Sequence, residues 1–200
     1  MSTFGFKAFK LEADGRLVST MGQRVTYVVD EVNELGNDEP LALGLNGIHY
    51  HADRDDIFNY YNLDGQNVWH RVEIPEGTEV THDDDVSAAR RLIIRERLVL
   101  TASDVLTAAT SNGHTLQWLT PEERSDPELR LAAVTRDGEA IQWLVPEERS
   151  DPALRLAAVS QCGEAIKHLK PEERTDPELR LAAVSNRGHA IQHLLPGERA

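Results

Sequence analysis

The chain has 200 residues, of which 40% are hydrophobic, and its 21 basic and 34 acidic side chains give a formal net charge of −13. This composition is typical of a globular protein, and a charge this negative argues against direct binding of nucleic acid or of anionic lipid. The sequence shows neither a long apolar run nor the order of segments found in signal peptides, so we expect no membrane insertion and no secretion.

Residues 1–100 are predicted to form an α+β domain. Alternating and β-branched residues predict five strands, at 5–10, 24–29, 48–51, 68–74 and 92–95. An acidic start followed by apolar residues at helical spacing predicts a helix over 53–60, and a second short helix is predicted over 85–91. Turn sequences rich in Gly, Asn and Asp separate these elements.

The order of sequence blocks in this half resembles a known domain. The blocks are GFKAF, LNGIHYHADRDDIFNYYN, VWHRVEIPEGTEV and LIIRERLVL. In this order they are similar to an uncharacterised N-terminal domain of phage and prophage proteins, which often precedes repeats. That resemblance implies a phage-type accessory protein, acting in the host cytoplasm if phage-encoded, and it implies no defined activity.

The strand and helix between Gly47 and Tyr61 support a second resemblance. This block is similar to part of the ADP-ribosyltransferase-like folds, in which a Gly-aromatic strand precedes a helix with aromatic residues. The resemblance implies an NAD-using enzyme in which His49 and Tyr60 hold the nicotinamide half of NAD and Glu96 polarises the ribose. The alternative is that these three are scaffold residues, and in that case no cofactor is expected. The chain contains no GxGxxG, P-loop or GxSxG motif.

A repeat of 25 residues organises the second half. Its four copies occupy residues 101–125, 126–150, 151–175 and 176–200, and the first copy lacks the opening Asp-Pro of the other three. Self-similarity at such a period indicates a repeat architecture. The blocks DPELRLAAV and GEAIQ are similar to short helical repeats of bacterial and viral proteins, a family without a defined activity.

Each repeat is predicted to contain two short helices. Asp126 and Pro127 are a favourable start for the first, and Gly138 is expected to end it in the left-handed conformation. The second begins near Glu139, and Pro146 either stops it or starts a further single turn through Glu147, Glu148 and Arg149. Because helices of about two turns are unstable alone, they must pack against neighbouring units. The sequence therefore predicts an all-α solenoid of four two-helix repeats.

The positions that vary between repeats are the candidates for recognition. The most informative column precedes a buried leucine, so its bulky side chains either cover the apolar seam or project as contact residues. Turn positions before each glycine also vary, through function or through drift. The partner-binding hypothesis takes in the column Trp118, Trp143, His168 and His193 and the turn residues Arg136, Asp137 and Arg187.

Two further patterns have weaker implications. His189 and His193 stand four residues apart on one predicted helix, which makes them a weak metal candidate, but no fixed carboxylate or cysteine completes a four-ligand set and no native metal is predicted. The Glu and Arg columns that begin at Glu123 and Arg124 are predicted to form an exposed ion-pair ladder between units.

These observations predict a non-enzymatic protein that binds a protein partner through an acidic, aromatic-lined surface. An acidic binder favours a basic partner, so a host defence or nucleic-acid-handling protein, inhibited by charge mimicry, is the expected class. A lone cysteine, Cys162, cannot form an internal disulfide and fits a cytoplasmic location. Two alternatives stay open: an NAD-using transferase with the repeats as its targeting arm, and a homo-oligomeric scaffold protein.

Overall fold

The computed structural model describes residues 2–20, 25–36, 41 and 47–194. The chain divides into two compact units, Met1–Thr101 and Ala102–Ala200. The first unit is β-rich and contains two sheets, and the second is helical, with four α-helices among its described residues. Within the described ranges no helix has the length and apolar character that a membrane crossing requires.

The first unit contains a six-stranded sheet and a three-stranded sheet, both paired antiparallel. Its strands are β1 (Thr3–Leu11), β2 (Leu17–Val18), β3 (Thr26–Tyr27), β4 (Val32–Glu34), β5 (Ile48–Tyr50), β6 (Asn67–Ile74), β7 (Val80–Asp83), β8 (Val86–Ala89) and β9 (Arg91–Arg97). The larger sheet has the order β3-β2-β1-β6-β9-β4, and the smaller has the order β5-β8-β7. Two backbone hydrogen bonds of 2.7 and 2.8 Å between Phe6 and His51 join β1 to the end of β5.

The core of this unit combines side chains from both sheets. Its members are Phe9, Leu17, Tyr27, Ile48, Tyr50, Val68, Val72, Ile74, Ala89, Leu92 and Ile94. Gly5 allows the close approach of β1 to the end of β5, because a Cβ at this position would lie less than 3.0 Å from the Tyr50 ring and from the carbonyl oxygen of His51. A side chain at residue 5 would therefore separate the two sheets.

Local patterns predicted the long strands of this unit and misassigned its helices. The predicted helix over 53–60 is a 3₁₀ helix, Asp55–Asn59, that buries Ile57 and Phe58. The predicted helix over 85–91 is wrong, since β8 occupies this segment and pairs with β5 on one edge and β7 on the other. Ladder hydrogen bonds on both edges outweigh a weak local helix preference. The described part of the unit contains no α-helix, so the predicted α+β class is corrected to β-rich.

The strand predictions fail where strands are short. The predicted strand over 24–29 is reduced to β3, and its residue 24 lies outside the described residues. The strands β2, β4 and β7 were not predicted, because two to four residues are too few for alternation to emerge from the sequence.

The second unit repeats an α-helix and a six-residue 3₁₀ helix four times. A three-residue 3₁₀ helix follows in the first three repeats, at Glu123–Ser125, Glu148–Ser150 and Glu173–Thr175, where a further single turn was one of the predicted alternatives. The α-helices are α1 (Ala102–Ser111), α2 (Pro127–Arg136), α3 (Pro152–Gln161) and α4 (Pro177–Asn186). Each is followed by a 3₁₀ helix, at Gly113–Trp118, Gly138–Trp143, Gly163–His168 and Gly188–His193. The predicted second helix is therefore present as six residues of 3₁₀ rather than α-helix, the kind of short connector in which 3₁₀ geometry is common.

The predicted helix starts are found. Asp126, Asp151 and Asp176 each accept a hydrogen bond of 2.8 to 2.9 Å from the backbone N–H two residues later. A proline follows each aspartate, where its missing N–H costs nothing and its fixed φ suits the helix. These caps are encoded locally, which is why the sequence alone located them.

Glycine recurs once in each repeat, at Gly113, Gly138, Gly163 and Gly188, and this glycine column is explained by packing rather than by the predicted backbone conformation. Glycines with positive φ among the described residues are Gly15, Gly47, Gly65 and Gly77, so the left-handed cap expected at Gly138 is wrong. A Cβ on Gly138 would instead lie less than 3.0 Å from the carbonyl oxygen of Ala158 in the next repeat. The same clash would occur between Gly113 and Ala133, and between Gly163 and Ala183. Glycine recurs because consecutive repeats approach too closely for any side chain.

The predicted ion pairing between units occurs at Arg124, whose Nε lies 3.6 Å from Glu148 of the next repeat, but both side chains are largely buried and the pair is not exposed as predicted. Arg149 is partly buried and donates from Nε to the carbonyl oxygen of Leu144 at 2.7 Å and from Nη1 to that of His168 in the next repeat. Arg174 makes the same pair of contacts with Leu169 and His193, at 2.9 and 3.2 Å. Guanidinium groups thus satisfy free carbonyls at the ends of two successive 3₁₀ helices.

Candidate functional site

The predicted recognition column ends the four 3₁₀ helices. Trp118 and Trp143 are 44% and 37% exposed, whereas His168 and His193 are partly buried. The leucine that follows each of them is buried, as at Leu119. The column is therefore accessible along its length, and its first two positions expose large indole rings beside a packed core. Tryptophan is enriched at protein interfaces, where one part of the ring packs on apolar atoms and its N–H stays near water.

The exposure of the indoles predicts their fluorescence. The chain has three tryptophans, and the third, Trp69, is only 7% exposed. We expect neutral acrylamide to quench a large part of the emission, and the variant Trp118→His/Trp143→His to lose this component. Because the chain is acidic, caesium should quench the exposed component more efficiently, and iodide less efficiently, relative to acrylamide than each ion does with free N-acetyltryptophanamide. Ratios equal to those of the free indole would contradict an acidic environment around the indoles.

The histidines of the column pair with the preceding repeat. His168 donates from Nε2 to Glu139 at 2.9 Å, and Nε2 of His193 lies 3.7 Å from Glu164. Partial burial acts to raise the pKa of Glu139, but hydrogen bonds from His168 and Lys167 outweigh it and hold this pKa below its ordinary value. The same Glu139 contact raises the pKa of Lys167. His168 and His193 therefore contact carboxylates of the preceding repeat, and Trp118 and Trp143 are the more accessible residues of the column.

The predicted turn residues have structural partners. The Asp137 carboxylate accepts from the N–H of Glu139 at 3.0 Å and lies 2.8 Å from Nδ1 of His114 in the preceding repeat. Arg136 donates from Nε to the carbonyl oxygen of Ser111 at 2.9 Å. Arg187 ends α4 and is exposed. Asp137 and Arg136 thus connect repeats.

The turn position two residues before each glycine, which belongs to the variable run and includes Arg136, joins the repeats through amides at Gln161 and Asn186, a role that the sequence analysis did not predict. The Gln161 side chain accepts from the N–H of Gly138 at 2.6 Å and donates to the carbonyl oxygen of Arg136 at 3.2 Å. Asn186 repeats this arrangement with the N–H of Gly163 at 2.9 Å and the carbonyl oxygen of Ser160 at 2.8 Å. Both residues carry an amide two positions before a glycine, which is the sequence signal that could have identified them.

The turns that follow the column expose acidic charge. In each turn of the Pro-Glu-Glu-Arg type the first glutamate is exposed, at Glu122, Glu147 and Glu172. The second glutamate folds back to a backbone N–H, as Glu148 does to Val145 at 2.9 Å, and the arginine points to carbonyl groups. The positive charge of the turn is therefore directed inward, and the edge beside the tryptophans is negative.

The residues of the NAD-transferase interpretation are not brought together. Glu96 lies on β9, where it forms an exposed ion pair of 3.3 Å with Arg71. β9, β6, β1 and the segment at His51 follow one another across the sheet, so about three strand spacings of 4.8 Å separate Glu96 from the region of His49. Tyr60 instead packs its ring 5.0 Å from that of His51.

The first unit buries titratable groups that the sequence reading did not select, among them Lys7 and His51. Lys7 is 5% exposed, donates to the carbonyl oxygen of His49 at 2.7 Å, and lies 5.5 Å from the Phe9 ring. Burial lowers the pKa of Lys7 to about 8. Burial also lowers the pKa of His51, whose Nδ1 donates to the carbonyl oxygen of Asp85 at 2.7 Å. Strict alternation along β1 places Lys7 on the same face as the core residue Phe9. This alternation was the sequence pattern that could have predicted the burial of Lys7.

The described residues contain no group of three or more His, Cys, Asp and Glu side chains that could hold a metal ion. His189 and His193, the weak metal candidate, have Glu164 near His193 as the neighbouring carboxylate, 3.7 Å away. A closed zinc site needs more ligands than the two histidines supply, and the described residues add no group of three or more around them.

Comparison with known proteins adds no functional assignment. No protein family, no curated protein and no solved structure matches this chain. The resemblances to the phage-type N-terminal domain and to short bacterial and viral helical repeats therefore stay predictions.

Proposed function

We propose that the helical unit is a protein-binding module whose contact face is the column Trp118, Trp143, His168 and His193. The exposure of the two indoles supports this most directly. Some repeated apolar positions, such as Leu144 and Ile141, are buried, whereas the column of Leu131 and Leu181 is exposed as well but carries no aromatic ring. The glycine and arginine columns join one repeat to the next. Tryptophan is enriched among the residues that dominate binding energy at interfaces.

The partner that suits this face is basic. The chain carries a net charge of −13, and the turns beside the tryptophans expose glutamates while their arginines bind carbonyl groups. Such a field accelerates encounter with a cationic surface and disfavours an anionic one. Guanidinium and ammonium groups also bind favourably over indole rings. A protein that ordinarily handles nucleic acid presents a surface of this kind, and its inhibition by charge mimicry is part of the proposal.

The proposed module is a solenoid. Contacts at one-repeat spacing support this, since Arg149 reaches His168, Arg174 reaches His193, and Gln161 and Asn186 reach the preceding glycines. In such an array each unit contacts only its neighbours, so residues at equal positions form one extended column. The indoles and imidazoles would then contact one continuous segment of the partner.

The test compares binding before and after removal of the indoles. Histidine occupies this position in the last two repeats, so Trp118→His/Trp143→His uses a side chain that the framework already accepts. The probe is a labelled peptide of alternating Arg and Gly, titrated into the full chain at low salt, with an alternating Glu and Gly peptide as the charge control. We expect the variant to lose at least about tenfold in affinity for the basic peptide.

The control variant is Leu181→Ala, which truncates an exposed apolar side chain on α4, outside the column. Its affinity should equal that of the parent chain. Binding should also weaken with added salt, since exposed charges are screened. Equal affinity of the parent chain and the histidine variant would refute the column as a contact face, and equal affinity for the acidic peptide would refute the basic partner.

A further inference from the structure

The proposed contact face carries a ring and a carboxylate in each of its first three repeats. The rings are those of Trp118, Trp143 and His168, and the carboxylates, four residues later in each repeat, are those of Glu122, Glu147 and Glu172. All three glutamates are exposed, and none of them forms an ion pair with the described residues. The face therefore presents a ring and an unneutralised negative charge once per repeat.

The packing of the repeats sets the interval between these pairs. Some Cα atoms of each six-residue 3₁₀ helix lie within 8 Å of those of the next one. The guanidinium group of Arg174 donates to the carbonyl oxygens of Leu169 and His193 at 2.9 and 3.2 Å, and so bridges the ends of two successive 3₁₀ helices. Because helices in direct contact have axes about 8 to 10 Å apart, we expect a ring and a carboxylate about every 8 to 10 Å along the face.

This interval favours one conformation of the bound segment. In a polyproline II helix every third side chain lies on the same side, and three residues advance about 9.3 Å. Side chains on one face of a β-strand recur about every 6.7 Å. On one side of an α-helix they recur after one turn of about 5.4 Å or after seven residues, which advance about 10.5 Å. Polyproline II therefore matches the expected interval, and the other two conformations fall outside it.

The ring and the carboxylate together favour arginine as the contacting residue. A planar guanidinium group stacks on an aromatic face, while its N–H groups, which lie in its own plane, can still donate to a carboxylate. The compact ammonium group of lysine has no such plane. Proline at the two intervening positions fixes the backbone before binding, which reduces the entropy lost when the segment binds.

We propose that the contact face binds a polyproline II segment of a partner protein, with an arginine at every third residue and one arginine for each repeat. The proposal rests on the protein-binding function proposed above, and it names the class of segment that is bound. It predicts that affinity depends on the spacing of the positive charges as well as on their number.

The experiment compares two labelled peptides of equal composition, each titrated into the full chain at low salt. The periodic peptide has four copies of Arg-Pro-Pro. The permuted peptide has two copies of Arg-Pro-Arg-Pro-Pro-Pro, which places its arginines two and four residues apart. We expect the periodic peptide to bind at least about fivefold more tightly, because more of its guanidinium groups reach a ring. A peptide with four copies of Lys-Pro-Pro should bind at least about threefold more weakly than the periodic one.

The variant Glu122→Gln/Glu147→Gln tests the part played by the carboxylates. It should reduce the preference for the periodic over the permuted peptide to less than about twofold, because the charge-assisted hydrogen bonds to the guanidinium groups are lost. The matched control is Glu128→Gln/Glu178→Gln, which removes the same charge from exposed residues of α2 and α4. This control should keep the preference of the parent chain.

Equal affinity for the periodic and permuted peptides overturns the proposal. Equal affinity for the arginine and lysine peptides also overturns it, as does a preference that survives Glu122→Gln/Glu147→Gln. If the alternating Arg and Gly peptide still binds in these cases, and still loses affinity in Trp118→His/Trp143→His, the protein-binding function stands and only the class of segment is refuted.

Discussion

Gly138→Ala is expected to lower the free energy of unfolding by about 3 kcal/mol, the upper range for overpacking of a tightly packed site. The added Cβ would lie less than 3.0 Å from the carbonyl oxygen of Ala158, and it would also approach the backbone of Cys162. Both obstacles are backbone atoms of the following repeat, so no side-chain rotation relieves them. Two-state urea unfolding of the full chain measures the loss.

The matched control for this prediction is Gly188→Ala. The chemical change is identical, but no heavy atom of the described residues lies within 4 Å of the new methyl group, so stability should change by less than about 0.5 kcal/mol. Gly163→Ala should resemble Gly138→Ala. A small loss at Gly138 equal to that at Gly188 would mean that the repeats do not approach as closely as the structure shows.

Lys7→Met is expected to raise the free energy of unfolding at pH 7 by about 2 kcal/mol. Burial lowers the pKa of Lys7 from 10.5 to about 8, and a shift of this size corresponds to about 3 kcal/mol of differential interaction. The methionine loses the hydrogen bond to His49 and the aromatic contacts of the ammonium group. This loss offsets about 1 kcal/mol of the stability gained by removing the buried charge. Its flexible thioether side chain has a similar length and no charge.

The pH dependence of this effect has a defined sign. The folded-state pKa of Lys7 is about 8, below the unfolded value of 10.5, so between these values the unfolded chain binds more protons than the folded one. Stability attributable to Lys7 therefore rises as pH increases from about 8 to 10.5 and is lowest below pH 8. Burial raises the pKa of Tyr27 to about 12, so above pH 10 that group lowers stability instead. The difference between parent and Lys7→Met removes the Tyr27 contribution.

Lys10→Met serves as the control, because Lys10 is an exposed lysine on the same strand. It should change stability by less than about 0.5 kcal/mol at pH 7. If Lys7→Met instead destabilises the chain at pH 7, the contacts of the ammonium group with His49, Phe9 and Tyr27 outweigh its desolvation.

The features predictable from the sequence are those that depend on neighbouring residues. Asp126 caps its helix through the backbone N–H two residues away. The 25-residue period is likewise seen directly in the amino-acid sequence. The cause of the Gly138 column was not predictable, because the local rule for glycine after a helix indicates a left-handed cap. The real constraint is an Ala158 carbonyl oxygen twenty positions along the chain. Similarly, β8 was read as a helix because its partner β5 is distant in sequence.

The sequence was enough to name the residues of the candidate site. It was not enough to predict which of them are exposed and which are bonded to a neighbouring repeat. The column one residue before Leu119 and its equivalents lies at the edge of the buried stripe, where periodicity permits either a covered or an exposed side chain. Only the packed structure shows that Trp118 and Trp143 are exposed while His168 is held by Glu139. The turn residues Arg136 and Asp137 proved to bond across repeats, which requires knowledge of the neighbouring unit.

The proposed function distinguishes two kinds of repeated position. Glycine and arginine join one repeat to the next, so their replacement should reduce stability. Tryptophan contributes exposed area, so its replacement should reduce binding more than stability. An interaction surface made in this way retains its framework when its contact residues vary, as they do between the first and second pairs of repeats.

The most direct test of this division measures stability and binding on one variant, Trp118→His/Trp143→His. We predict that the free energy of unfolding falls by less than about 2 kcal/mol for both substitutions together, well below the 3 to 5 kcal/mol typical of truncating one core tryptophan, while affinity for the Arg-Gly peptide falls at least about tenfold. A collapse of stability with peptide affinity unchanged would contradict the account, since the indoles would then be parts of the core.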